Sequence, residues 1–293
     1  MKQQKWYGMS TSNRTYKELS IPFFKEVFEI IDKILVKKKV PYYLVGVNAI
    51  ALELLKKGIK PNRGTKDIDF ALMVSSMGEY DKIVDAFVEE GFTKAKAPFT
   101  VYHPKFNVAV DLLPFGQIEE NDTDSFNERY SDLHVLGFRE VLEDTKEIPI
   151  ENSVAKVPPL AGMVILKLIA WSDRPEERDN DLTDILRIIE VYYDYEWDTI
   201  VEEHVDLLEA EPFDQHKIAS RLLGREACKY LLKSNVLSER ILELLENNLA
   251  DLETSAIIRR WASIKNIEAR EAMALLGEFE KGLKEGINFN RNR

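Results

Sequence analysis

The stretch "RGTKDIDFALMV", residues 63–74, sets Asp67 and Asp69 at i and i+2, at the head of an apolar, β-prone run through Phe70, Leu72 and Val74. On a strand, such residues project from the same face, roughly 6.6 Å apart along the chain. A bare carboxylate is costly to bury unless it is paired or bound to a metal. A third acid, Asp111, stands among apolar neighbours in "FNVAVDLLPF". There Val108, Val110 and Leu112 share one face, and Asn107, Ala109 and Asp111 the other. Three carboxylates from two adjacent strands can meet at one spot, where repulsion would raise at least one pKa. A pair of Mg²⁺ ions would remove that repulsion, since hard oxygen ligands suit Mg²⁺. Two such ions about 4 Å apart support in-line phosphoryl or nucleotidyl displacement. Taken alone, D-x-D is also the ordinary polar start of a strand.

Upstream, "YYLVGVNAIAL" reads as a strand, a turn at Gly46 and a helix N-terminus. Such a turn can present backbone N–H groups and the positive end of a helix dipole to a triphosphate. Lys167 lies inside the apolar helix "MVILKLIAW", where a lysine must meet an anion or reach solvent along its stem. Asp181 and Asp184, at i and i+3, share a face of the next helix. Read locally, they pair with Arg174 and Arg178 to lock the helix hairpin. Arg63 and Thr65 precede the D-x-D and either touch phosphates or form a loop ion pair and a strand-edge hydroxyl.

The elements that must position these residues divide into two kinds. An amphipathic helix is predicted over 20–39, with Ser20 as N-cap and Pro22 just inside. Strands follow at "PYYLVGV", 67–74, "FTVYH" and "FNVAVDLLPF", with helices after Gly46 and over 77–90. Beyond about residue 150 the pattern is helical: two helices divided by Pro175, then about 215–233, 237–249 and 253–283. The expected organisation is an α/β domain over 1–150 and a helical domain over 151–293, with the cleft between them.

The residue blocks "LVGVNAIAL", "RGTKDIDFALMV", "VDLLPFG", "LKLIAWSDRPEERDNDLTDIL" and "RLLGRE" resemble the nucleotidyltransferase superfamily that includes DNA polymerase beta. The likeness is closest to bacterial nucleotidyltransferases of the AbiEii toxin type, and covers about residues 40 to 227. The resemblance implies an α+β fold with a mixed sheet and flanking helices, followed by an all-helical domain. It implies Mg²⁺-dependent transfer of a nucleoside monophosphate from an NTP to an acceptor hydroxyl. Asp67 and Asp69 match its metal ligands, and Asp111 the third carboxylate, which helps to deprotonate the attacking hydroxyl. Gly46 matches the first residue of its Gly-Gly or Gly-Ser turn, Lys167 a lysine facing the phosphates, and Asp181 and Asp184 acids near the cleft. Val47 departs from the second turn position, for which Asn48 is the candidate substitute, and the stretch from Gly46 to Asp67 is longer than in the common pattern. A toxin role with an antitoxin partner is also implied. The acceptor stays open among a small molecule, a protein and tRNA.

The net charge of −11 disfavours nucleic acid as a general partner. No apolar stretch approaches the roughly 20 residues of a membrane span, and no signal-peptide core is evident, so a cytoplasmic protein is expected. The single cysteine, Cys228, reads as a buried thiol in a helix. His103, His134, His204 and His216 have no metal-ligand spacing, and phosphate-loop and dinucleotide glycine motifs are missing. Tyr192, Tyr193, Tyr195 and Trp197 read as helix packing rather than a base-stacking platform. Two alternatives accompany the transferase reading. One is a non-catalytic nucleotide-binding protein, resting on Val47. The other is a small-molecule transferase of the aminoglycoside type.

Overall fold

The computed structural model describes residues 15–61, 64–118 and 135–291. It is an α+β fold: a five-stranded mixed sheet with flanking helices, followed by a helical region. Helix α1, Phe24–Lys38, leads into strand β1, Tyr42–Val45, then α2, Gly46–Lys56, and β2, Asp67–Met73. Helix α3, Met77–Glu89, precedes β3, Thr93–Lys94, β4, Thr100–His103, and β5, Val108–Phe115. The sheet order is β1-β2-β5-β4-β3. β2 and β5 run parallel and pair Asp69 with Asp111, while the other neighbours are antiparallel. Ile68, Phe70 and Leu72 of β2 and Val108, Val110 and Leu112 of β5 are all buried in the main core.

A short helix α4, Phe138–Leu142, is followed by a separate hairpin of β6, Lys146–Ile150, and β7, Ser153–Val157. The segment "ENSVAKVPP", residues 151–159 at the expected domain boundary, is therefore mostly strand. Its signal is the alternation that buries Ser153, Ala155 and Val157 and exposes the residues between them. Asp32 of α1 accepts hydrogen bonds from Tyr42 Oη of β1 and from Ser153 Oγ of β7, the latter at 2.8 Å, and so fastens the hairpin to the sheet.

From Leu160 the regular elements are helices: α5, Leu160–Asp173; α6, Asp179–Tyr195; α7, Trp197–Glu203; α8, Gln215–Leu231; α9, Asn235–Leu249; α10, Ala256–Lys265; and α11, Ala269–Arg291. Asp214, Ser234 and Ser255 cap α8, α9 and α10 with their side-chain oxygens. The one long helix expected over 253–283 is two helices, broken where Asn266 takes φ 52°. Asparagine tolerates this left-handed backbone better than most residues. The first helix also starts later than its sequence signal: Phe23, not Ser20, precedes it, at φ 62° and without a side-chain cap.

α8 and α11 approach almost backbone to backbone. A Cβ on Gly224 would meet the carbonyl oxygen of Phe279, and one on Gly282 that of Arg221. Gly286 gives room to the Cys228 thiol, which is buried, as its helical setting implied. Buried apolar side chains of the sheet region and of the helical region form one continuous core. No described helix is long and apolar enough to cross a membrane.

Candidate functional site

The second face of the sheet carries two different halves. Along the parallel β2–β5 pair, Asp69 lies beside Asp111, Ala71 beside Leu113, and Met73 beside Phe115. The first end is acidic. The second forms a small apolar cluster of Val45, Ala71, Phe115 and Phe138. Alternation places Asp67 and Asp69 opposite the core residues of β2, and the parallel register brings Asp111 level with Asp69. One carboxylate oxygen from each of Asp67, Asp69 and Asp111 lies within 4.8 Å of the others.

Two of the three acids are held by a neighbouring hydroxyl. The Thr65 hydroxyl donates to Asp67 Oδ1, and the Thr100 hydroxyl donates to Asp111 Oδ1 at 2.6 Å. Thr100 lies directly across the antiparallel β4–β5 pair from Asp111. Its role was readable only once that register was known, and sequence reasoning missed it. Asn48 is buried, and its Nδ2 donates to the backbone oxygen of Asp67 at 2.8 Å, so it joins α2 to β2 and does not line the cleft. Gly46 opens α2 at φ 68° with Asp69 against it, and a Cβ there would overlap Asp69 Oδ2. Glycine is needed at this position for both its conformation and its lack of a side chain.

The cleft above the triad has a volume of about 520 Å³, within the usual range for small-molecule sites. Gly46 and Val47, the triad, Thr65, Lys167 and Asp181 line it, with Arg174, Glu177 and Arg178 from the α5–α6 loop. Leu113, Phe138, Met163, Leu166 and Ala170 form an apolar wall.

Lys167 neither reaches solvent nor stands unpaired. Its Nζ lies 2.6 Å from Asp181 Oδ1 and 2.8 Å from Asp184 Oδ2, and all three residues are buried. These acids pair first with Lys167; Arg178 is 3.8 Å from Asp181, and Arg174 pairs with Glu177 instead. Asp184 lies behind the cleft wall, while Lys167 and Asp181 border the cavity. Arg63 and His134 lie outside the described residues. Tyr192 and Tyr195 are interior packing, as expected: the Tyr195 hydroxyl donates to the buried Glu53 at 2.5 Å, and that of Tyr192 to Glu226 at 2.6 Å. Tyr193 is only half-buried and Trp197 is exposed, against the packing expected of them.

The electrostatics follow from this arrangement. Burial, then repulsion from Asp111 and Asp67, pushes Asp69 up to about 7, against the pull of Lys167 and Arg178. Asp111 is also raised, mainly by burial and despite the Thr100 hydrogen bond. Burial works against the Lys167 ammonium, but Asp181 and Asp184 outweigh it and hold the group above its ordinary range. The triad is thus a cluster of hard oxygen donors short of positive charge. That donor set fits a hard divalent cation such as Mg²⁺ or Mn²⁺.

No protein-family model and no curated protein matches the chain. Among solved structures it is similar to an antigenic nucleotidyltransferase-like protein from Paracoccidioides brasiliensis. The identity is 15%, covering 66% of this chain and 91% of that chain, with a TM-score of 0.39. The functional reading rests on the geometry of the cleft.

Proposed function

We propose that the protein is a Mg²⁺-dependent nucleotidyltransferase that moves a nucleoside monophosphate from an NTP to an acceptor hydroxyl. The observation that supports this most is the convergence of Asp67, Asp69 and Asp111 beside the N-terminus of α2. Asp67, Asp69 and Asp111 would hold the metal, which when bound supplies charge neutralisation at the phosphates and at the attacking oxygen. The α2 N-terminus, at Gly46 and Val47, offers backbone N–H groups to phosphate oxygens. Arg174 and Arg178 add positive charge at the mouth of the cleft. In the reaction, the acceptor oxygen bonds to the α-phosphorus, the bond from that phosphorus to the β-phosphate oxygen breaks, and pyrophosphate leaves. Asp111 takes the hydroxyl proton. The Thr100 hydrogen bond fixes the Asp111 carboxylate for that task.

A second reading, nucleotide binding without transfer, rests on Val47 at the α2 turn; in both readings the Lys167 ammonium is already held by two carboxylates. A phosphate would have to compete with both. Incubation with each labelled NTP, Mg²⁺ and separate nucleic-acid, protein and small-molecule fractions tests the proposal, with Asp111→Asn as the blank. Label incorporated by wild type and not by Asp111→Asn is expected. Binding of NTP with no wild-type transfer to any fraction would favour the second reading. The toxin setting and a cytoplasmic location belong to the same proposal. Growth arrest of a bacterial host by wild type, and not by Asp69→Asn, is the outcome that setting requires.

A further inference from the structure

On the helical side of the molecule, an apolar patch lies within the most acidic part of the chain. Trp197 and Val201, one turn apart on α7, are 44% and 39% exposed, and Phe213 is 55% exposed. Tyr193 joins them: its ring centroid is 5.4 Å from that of Trp197 and 6.1 Å from that of Phe213. Tryptophan and tyrosine are the side chains that most often anchor protein interfaces, and contiguous exposed aromatic patches are uncommon on surfaces that meet only water.

Between residues 194 and 214 the sequence has nine acidic residues and no lysine or arginine. Three are committed locally. Asp206 pairs with Arg225, Asp214 caps α8, and Glu196 accepts from Thr199. The other six, Asp194, Asp198, Glu202, Glu203, Glu209 and Glu211, are exposed and have no ion pair or hydrogen bond to their carboxylates among the described residues. Of the cations that border the segment, Arg221 and Arg225 pair with Glu285 and Lys217 with Asp214, while Lys281 lines the same hollow as Glu211.

We propose that Tyr193, Trp197, Val201 and Phe213 form a docking surface for a basic amphipathic segment of another protein, an apolar stripe flanked by lysine or arginine. The aromatic patch supplies the anchor, and the exposed carboxylates of the same segment supply charge complementarity. The same charge opposes nucleic acid and anionic membrane. It also opposes a second copy of this chain, which would bring two acidic rims together.

The test uses the full chain and a labelled synthetic peptide of about 18 residues, five helical turns, with leucines on one face and lysines on the rest. Fluorescence anisotropy compares it with a scrambled peptide of the same composition. The amphipathic peptide is expected to bind, more weakly as salt rises, and to exceed the scrambled peptide by about tenfold. Trp197→Ala and Phe213→Ala are each expected to weaken binding about tenfold, and Glu202→Lys/Glu203→Lys by a similar factor that vanishes at high salt. Circular dichroism checks that each variant is folded. Should Trp197→Ala unfold, Phe213→Ala and the exposed charge pair carry the comparison. Equal binding of the scrambled peptide, or wild-type affinity in the folded variants, would overturn the proposal. So would a dimer in sedimentation velocity that Trp197→Ala dissolves, which would make a second copy the occupant.

Discussion

At the residue scale, burial and two neighbouring carboxylates set the charge of Asp69. Its pKa of about 7 in the folded chain exceeds the value of about 4 for an unfolded aspartate. Between these values the folded state binds the extra proton. Its contribution to stability is therefore complete below about pH 4 and lost as pH rises through about 7. Without metal, Asp69→Asn should match wild type near pH 4 and exceed it near pH 8, by on the order of 2 kcal/mol after allowance for solvent screening. Urea denaturation at the two pH values checks this. A cation competes with the same proton, so Mn²⁺ affinity measured by calorimetry should rise with pH through about 7 and be largely lost in Asp69→Asn. Lys167 makes the opposite case. Its removal leaves Asp181 and Asp184 buried without their cation, so Lys167→Ala should cost about 3–5 kcal/mol. Neutralising both partners, as Lys167→Met/Asp181→Asn/Asp184→Asn, should restore most of that loss. If Lys167→Ala melts like wild type, the pair is not structural and its acids are free to serve the cleft.

At the element scale, close backbone approach decides which positions tolerate change. Gly46→Ala forces a Cβ onto Asp69 Oδ2 at a left-handed position. It should lower cation affinity severalfold and cost at least the 1–2 kcal/mol of the conformation itself. Gly282→Ala would press a methyl group onto the Arg221 carbonyl and part α8 from α11, with an expected loss of about 1–3 kcal/mol or more. Gly78→Ala is the matched control. It is exposed on α3, and its new Cβ would meet only Ser76 Oγ, at 4.0 Å, so a small gain in stability is expected. Parallel thermal melts of the three variants separate these outcomes.

At the scale of the whole molecule, the continuous core joins the sheet region to the helices. The buried Glu53 near the end of α2 accepts from the Tyr195 hydroxyl at the end of α6, which ties together the far ends of two elements that border the cleft. Such a chain should unfold in one transition. Far-UV circular dichroism, which reports both regions, should lose signal together with the fluorescence of Trp171 and Trp261 in the helical part. A separated first transition would mean that the two regions are stable independently. Tyr195→Phe should leave the Glu53 carboxylate without its donor and lower the midpoint by an amount equivalent to about 1–3 kcal/mol.

What the sequence determined by itself was whatever repeats at a local period. Alternation along 67–74 and 108–112 assigned Asp67, Asp69 and Asp111 to one face of their strands, and the apolar stripes located most of the long helices, though Ser20 is not the cap of the first. The lone charge in "MVILKLIAW" marked Lys167 as needing either an anion or a path to solvent. What the tertiary structure decided was pairing between distant segments. The parallel register set Asp111 level with Asp69, the β4–β5 register placed Thr100 on Asp111, and the α5–α6 crossing gave Lys167 two carboxylates from its own chain. The hairpin β6–β7 and the Asn266 break were legible only weakly, because short alternation and a single left-handed residue leave little trace in periodicity. Local pattern follows from the geometry of one strand or helix. Register and ion partners depend on which distant surfaces the fold brings into contact.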